Sequence, residues 1–255
     1  MNTVIVRNVE IGTGIPKICV PIVGVNKTEI IEAARKAFNA GADIVEWRVD
    51  WYEAAKDVVQ VEGVLSELRE ILGELPLLFT FRTANEGGQK EISLTDYAEL
   101  IQNAVKTGFV DLVDVEIFIE DQPEIILDII RSAQRNGVKV IGSNHHFDRT
   151  PDRIDIVARL CRMQNAGVDI AKIAVMPNNK KDVLTLLAAT EEMVSEHARI
   201  PVVTMSMAGL GSISRLSGEL FGSAITFGTV GQASAPGQMA ADELRTVLNI
   251  IHKNS

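Results

Sequence analysis

The chain has 255 residues, 46% of them hydrophobic and 23% charged. These proportions exclude disordered, collagenous and coiled-coil chains and point to one large globular domain. A formal charge of −9 without a long basic run argues against nucleic acid or an anionic membrane surface as partner. Two cysteines, Cys19 and Cys161, are too few for a disulfide framework, and no CxxC or HExxH pattern announces a metal site. The N-terminus lacks a cationic stretch followed by a long apolar one, and no apolar run is long enough to cross a bilayer. The expectation is a soluble, cytoplasmic enzyme-sized domain.

Residues 1–16 alternate like a β-hairpin and precede the first strand candidate, 17–23. Further strand candidates follow at 43–49, 77–82, 112–118, 139–145, 170–176, 202–207 and 223–228, each bounded by turn-forming residues. Between them apolar residues recur at helical spacing. Ile30, Ile31, Ala34, Ala37 and Phe38 make one such stripe, and Val183, Leu184, Leu187 and Met193 another. Thr95 and Asp182 read as helix starts, and Gly41, Gly108, Gly137 and Gly167 as left-handed helix ends.

An eightfold strand–helix repeat fits an open doubly wound sheet or a closed (β/α)8 barrel. The turn after the first barrel strand reads VGVNKT and lacks the GxGxxG of a dinucleotide fold. A length near 250 favours the (β/α)8 TIM barrel, as a single domain over 1–255 with the hairpin closing its bottom.

Side chains two apart on a strand share a face. On 43–49 and the residue after it, Val45, Trp47 and Val49 form one face, and Ile44, Glu46, Arg48 and Asp50 the other. The same parity pairs Thr80 with Arg82, Asp114 with Glu116, Ser143 with His145, and Lys172 with Ala174 and Met176. Met205 and Met207 also share a face. Several strands thus aim ionisable groups into one interior, near the C-terminal end where barrel active sites lie. Buried charge must pair or serve chemistry. Lys172 has two readings. It is a lysine paired with an acid or snorkelling outward, or a desolvated amine able to attack a carbonyl. His145, ending the preceding strand, stands close enough to shuttle its protons.

The segments EWRVD (46–50), FTFRTANEGG (79–88), SNHHF (143–147), KIAVMP (172–177), TMSM (204–207), ISRLSGELFGSAITFG (213–228) and ASAPGQ (233–238) together resemble the type I 3-dehydroquinate dehydratase family. The resemblance runs over essentially the whole chain and rests on the order and spacing of these segments. It implies a (β/α)8 barrel, usually a homodimer, that dehydrates 3-dehydroquinate in the shikimate pathway through a lysine imine, with no metal or coenzyme. It implies Lys172 as the Schiff-base lysine, His145 as general acid and base, and Glu86 as the group that orients His145. Glu46, Arg48 and Arg82 would hold the substrate ring, and Arg215 its carboxylate. Ser234 and Gln238 would sit on a closing loop, while Met205 and Phe227 supply apolar walls. One departure is Pro21, where some members carry a serine; it is left out of the site. Two rival readings stand beside this one: another Schiff-base barrel of the class I aldolase type, and a non-catalytic barrel that binds a small acid.

Overall fold

The computed structural model describes residues 3–119 and 122–255. The chain begins with an antiparallel hairpin, β1 (Val4–Val6) and β2 (Val9–Ile11). Eight parallel strands follow: β3 (Lys17–Ile22), β4 (Ile44–Arg48), β5 (Leu77–Thr80), β6 (Leu112–Glu116), β7 (Lys139–His146), β8 (Ile170–Val175), β9 (Val202–Ser206) and β10 (Ile225–Thr229). Each of β3 to β8 pairs with the next, and β10 pairs back onto β3. The last seam, between β9 and β10, is closed at its base. There the Ala224 N–H donates to the Val202 carbonyl at 2.8 Å, and the Thr204 N–H donates to Ser223 Oγ at 3.0 Å. The (β/α)8 barrel expected from the repeat is therefore the fold.

Long helices follow the first six barrel strands: α1 (Lys27–Asn39), α2 (Val58–Leu72), α3 (Leu94–Lys106), α4 (Pro123–Arg135), α5 (Arg153–Asn165) and α6 (Lys180–Glu192). After β9 the single helix expected is replaced by two short ones, α7 (Ser212–Leu216) and α8 (Gly218–Phe221). A two-residue strand, β11 (Met239–Ala240), pairs beside β10 and leads into α9 (Ala241–His252). Gly41, Gly108, Gly137 and Gly167 all have φ between 71° and 88°, the left-handed ends expected of them.

Three local expectations need correction. Phe38 and Leu184 were counted in apolar stripes but are 49% and 64% exposed. Ile30, Ile31, Ala34 and Ala37 carry the buried face of α1, and Leu186 and Ala189 join Val183 and Leu187 in that of α6. Each stripe was drawn one residue too wide, since a helix turns about 100° per residue. The α3 cap is Ser93, whose hydroxyl accepts from the Asp96 N–H at 3.1 Å, and Thr95 lies inside the first turn. Asp182 is the third residue of α6, where it forms a capping box with Asn179.

The barrel has two cores. Val45, Trp47, Val49, Phe79 and Val113 face outward and pack beneath the helices. Ile44, Leu78, Leu112, Ile141, Ile170, Val203 and Ile225 fill the lower interior, and Val4, Val6 and Ile11 of the hairpin complete that cluster from below. The hairpin thus plugs the N-terminal mouth with apolar side chains and is pinned by Arg7, which pairs with Asp111 at 2.6 Å and Glu74 at 2.9 Å. Pro21 is accommodated in β3 because the pairing with β10 covers only Lys17 to Cys19, so its missing N–H breaks no ladder on that side.

Candidate active site

Above the apolar plug the interior turns polar. Lys172, in the middle of β8, is 4% exposed. Its Nζ donates to Asp114 Oδ2 at 3.0 Å and lies 4.6 Å from the centre of the Phe227 ring. Asp114, on β6, is fully buried and also accepts from Ser143 Oγ at 2.6 Å and from Arg82 Nη2 at 2.7 Å. Burial pushes its carboxyl up, but Arg82 and Lys172 outweigh that and hold it at about 2. Lys172 stands in register with Ser143 on β7 and Val203 on β9, and His145 is paired with Ala174. The imidazole is thus one inward position nearer the mouth than the amine, above it rather than level with it.

His145 Nδ1 is 2.8 Å from Glu86 Oε2. Glu86 comes from the short turn Ala84–Glu86 that follows β5. Two glycines let this turn approach β7. Gly87 is left-handed, with φ 82°, and a Cβ there would strike the Phe147 ring. A Cβ on Gly88 would strike the Arg82 carbonyl. Phe147 in turn stacks on His145, with ring centres 6.4 Å apart and planes 25° apart. Glu86 Oε1 accepts from Asn144 Nδ2 at 3.0 Å. Burial and the nearby Glu116 push the Glu86 carboxyl up to about 8. Burial, together with Arg82, Lys172 and Arg48, pushes the His145 imidazole well below its ordinary value. The imidazole is therefore neutral near pH 7, and its Nε2 has no protein partner among the described residues.

Three arginines surround this centre in different states. Arg48 makes a two-pronged pair with Asp50, at 2.8 Å on each side. Arg82 is satisfied by Asp114, Glu116 at 2.8 Å, Ser143 at 3.1 Å and Glu86 at 3.4 Å. Arg215, at 2% exposure, has no carboxylate partner among the described residues. Its Nη2 donates to the Pro236 carbonyl, its Nη1 lies 3.9 Å from Met205 Sδ, and its Nε is buried with no partner among the described residues. Burial lowers its pKa to about 10. A desolvated guanidinium without a counterion is a ready anion site.

The loop before β11 folds over the mouth. Ser234 and Gln238 bond each other twice, at 2.9 and 3.1 Å. Arg48 Nη1 donates to the Ser234 carbonyl at 3.3 Å, and the Ala208 N–H to the Pro236 carbonyl at 3.1 Å. Ala208 holds φ at 54°, a strained conformation for a residue with a Cβ and one often found beside binding sites.

One cavity under this loop is lined by Glu46, Arg48, Arg82, Glu86, His145, Lys172, Met205, Arg215, Phe227, Ser234 and Gln238. All eleven residues singled out from sequence are thus brought together. Arg82 differs from expectation in one respect: its guanidinium is already engaged by three carboxylates, so it also organises the floor of the site. Four supporting groups were not assigned from sequence: Asp50, Asp114, Glu116 and Asn144. Strand parity points Asp50, Asp114 and Glu116 inward. Asn144 has the opposite parity, and no sequence signal marks it. No three His, Cys, Asp or Glu residues among those described are grouped as metal ligands.

A parallel (β/α)8 barrel with a cavity of buried charged side chains at its C-terminal mouth has the architecture of a barrel enzyme. The sequence profile of the type I 3-dehydroquinase family matches residues 18–255. The chain is 53% identical over 249 residues to a 3-dehydroquinate dehydratase of Clostridioides difficile strain 630, covering 98% of this chain and 97% of that one. It is 53% identical over 253 residues to a 3-dehydroquinate dehydratase of Listeria monocytogenes, covering 99% of each. Among solved structures, a type I 3-dehydroquinate dehydratase from Clostridium difficile with covalently modified comenic acid superposes with a TM-score of 0.96 at 52% identity. The match covers 100% of this chain and 99% of that one. The enzyme from Geobacillus kaustophilus gives the same TM-score at 41% identity, covering 100% and 98%. The chain belongs to the type I 3-dehydroquinase family, and its enzyme class is that of a 3-dehydroquinate dehydratase.

Proposed function

We propose that the chain dehydrates 3-dehydroquinate to 3-dehydroshikimate through an imine on Lys172. The observation that carries this reading is the buried amine of Lys172 in the same cavity as a neutral imidazole and an uncompensated Arg215. The neutral amine form of Lys172 adds to the substrate ketone, and loss of water gives an iminium. The iminium draws electrons from the neighbouring carbon, so its proton becomes acidic enough for His145 Nε2 to take. The resulting enamine expels the ring hydroxyl by syn elimination as His145 returns the proton to the departing oxygen, releasing water. A second water hydrolyses the conjugated imine and frees the amine.

Glu86 holds the imidazole through Nδ1, leaving Nε2 to act. Arg215 binds the substrate carboxylate. Glu46, held by Thr80 at 2.8 Å, joins Arg48 and Arg82 in fixing the ring hydroxyls. Met205 and Phe227 wall the ring, and the loop bearing Ser234 and Gln238 excludes water. No separate metal or coenzyme is assigned, since the iminium itself is the electron sink. We read 1–255 as one catalytic domain acting as a homodimer in the cytoplasm, on a shikimate-pathway substrate. In keeping with this, no helix among the described residues is long and apolar enough to cross a membrane.

The test is an assay with 3-dehydroquinate, read as the rise of enone-carboxylate absorbance. Borohydride added during turnover is expected to leave a covalent mass on Lys172, and Lys172→Ala to be inactive. An unmodified Lys172, or undiminished turnover in the variant, overturns the mechanism. Trapping with dehydroquinate itself also separates this reading from a class I aldolase, and turnover separates it from a binding module.

A further inference from the structure

Asn144 presents its side-chain amide between two groups of opposite hydrogen-bonding character. Its Oδ1 accepts from Arg159 Nη1 at 3.1 Å, and its Nδ2 donates to Glu86 Oε1 at 3.0 Å. Arg159 lies on α5, outside the barrel, and is held in turn by Asp155 through two 3.1 Å contacts to its Nε. Its guanidinium also lies 4.8 Å from the centre of the Phe118 ring. A guanidinium only donates hydrogen bonds. With Arg159 in place the amide has a single satisfied orientation, oxygen outward and nitrogen toward Glu86. Without it the amide is free to turn over and offer its oxygen to Glu86 instead. An N–H donated to a carboxyl favours the carboxylate, whereas an oxygen facing it favours the protonated acid.

We propose that Arg159 is a remote positioning residue for the reaction, acting through the orientation of the Asn144 amide to keep Glu86 able to ionise beside His145. The inference rests on the reading of His145 and Glu86 given above. Asn144 is 5% exposed and Arg159 keeps only a quarter of its side-chain surface in solvent, so the relay is largely sealed. The other charged groups facing Glu86 are Arg82, which donates to it weakly, Glu116 and Asp114 on β6, and His145 on β7. Around Arg159 itself lie Asp155, His146 and Arg162, whose guanidinium is 4.9 Å from the centre of the Phe118 ring. Among these, only Asn144 links Arg159 to Glu86 by hydrogen bonds.

The experiment is the pH dependence of kcat/KM for 3-dehydroquinate in Arg159→Leu, Arg159→Lys, Asn144→Ala and the double variant Arg159→Leu/Asn144→Ala. Arg159→Leu is expected to move the rising limb toward alkaline pH by about one unit, the scale of one lost hydrogen bond to a carboxylate. KM at the new optimum should stay within about twofold of wild type, because Arg159 touches no part of the cavity. Arg159→Lys, still a pure donor, should restore the profile. Asn144→Ala should move the limb in the same direction, and adding Arg159→Leu should move it no further, since both act through one amide. An unshifted limb in Arg159→Leu, or fully additive shifts in the double variant, overturns the proposal. If Arg159→Leu folds poorly, Arg159→Met, which keeps the chain's length but donates no hydrogen bond, gives the same reading, and an unshifted limb there overturns the proposal. An inactive wild type, or an active Lys172→Ala, would instead overturn the underlying mechanism.

Discussion

Lys172 Nζ and Asp114 Oδ2 meet at 3.0 Å inside a barrel where neither side chain exceeds 4% exposure. Asp114 is shared, because Arg82 reaches its other oxygen at 2.7 Å. Asp114 is thus the carboxylate that Lys172 and Arg82 share at the floor of the site, and the only acidic partner of Lys172 among the described residues. Asp114→Asn leaves both with one negative charge fewer, and breaking a buried pair in this way costs about 3–5 kcal/mol. The sign of its pH dependence follows from a carboxyl held at about 2 in the folded chain. A lowered folded-state pKa contributes stability that is fully present above the ordinary aspartate range and is lost as pH falls through about 2. Denaturant titrations of wild type and Asp114→Asn should show a constant gap from pH 7 to about pH 4 and a narrowing one below. A gap that widens in acid would remove Asp114 from this role.

Glu86 and His145 titrate as a unit. Below about pH 8 the pair holds two protons, one on the imidazole and one on the carboxyl; above that one is lost, and the remaining proton on Nδ1 is donated to the Glu86 carboxylate and leaves Nε2 as a base. Wild-type kcat/KM is expected to rise toward pH 8, since this parameter reports the free enzyme. Glu86→Gln cannot ionise, so its profile should lose that limb and stay nearly flat between pH 6 and 8.5. A persisting limb near 8 would assign the titration to another group.

His145→Ala removes the proposed proton shuttle but not the amine. Borohydride trapping with substrate should still label Lys172, while steady-state turnover falls by on the order of 100-fold or more. Near-normal rates would take His145 out of the acid–base role.

Arg215 makes two opposed predictions. Its guanidinium is buried with no carboxylate partner among the described residues, so Arg215→Met should not lower the melting temperature of the free protein. In the proposed role it binds the substrate carboxylate, and the same variant should then raise KM by at least about 30-fold, the low end for losing one partner of a buried charged pair. A destabilised free protein with unchanged KM would mean that Arg215 is structural.

The alternation of strand and helix, the eight strand positions and the inward parity of Glu46, Arg48, Asp114 and Lys172 were legible in the chain because they depend only on local periodicity and on the pleat. Two helix stripes were read too wide at Phe38 and Leu184, since spacing alone does not say where a neighbouring element ends. Residue types and the family pattern likewise point to eleven of the residues that line the cavity, though not to Gly87 or Phe147.

Pairing between distant strands lay outside that reach. Only the closed barrel brings Asp114 of β6 against Lys172 of β8 and Arg82 beyond β5, three groups separated by more than thirty residues from one another. Only the fold gives Arg82 three carboxylates while leaving Arg215 with none among the described residues, though both are arginines at the same mouth. The reason is physical. Periodicity settles which way a side chain points, but burial and the charges it meets there depend on strand register and barrel closure, and these settle protonation.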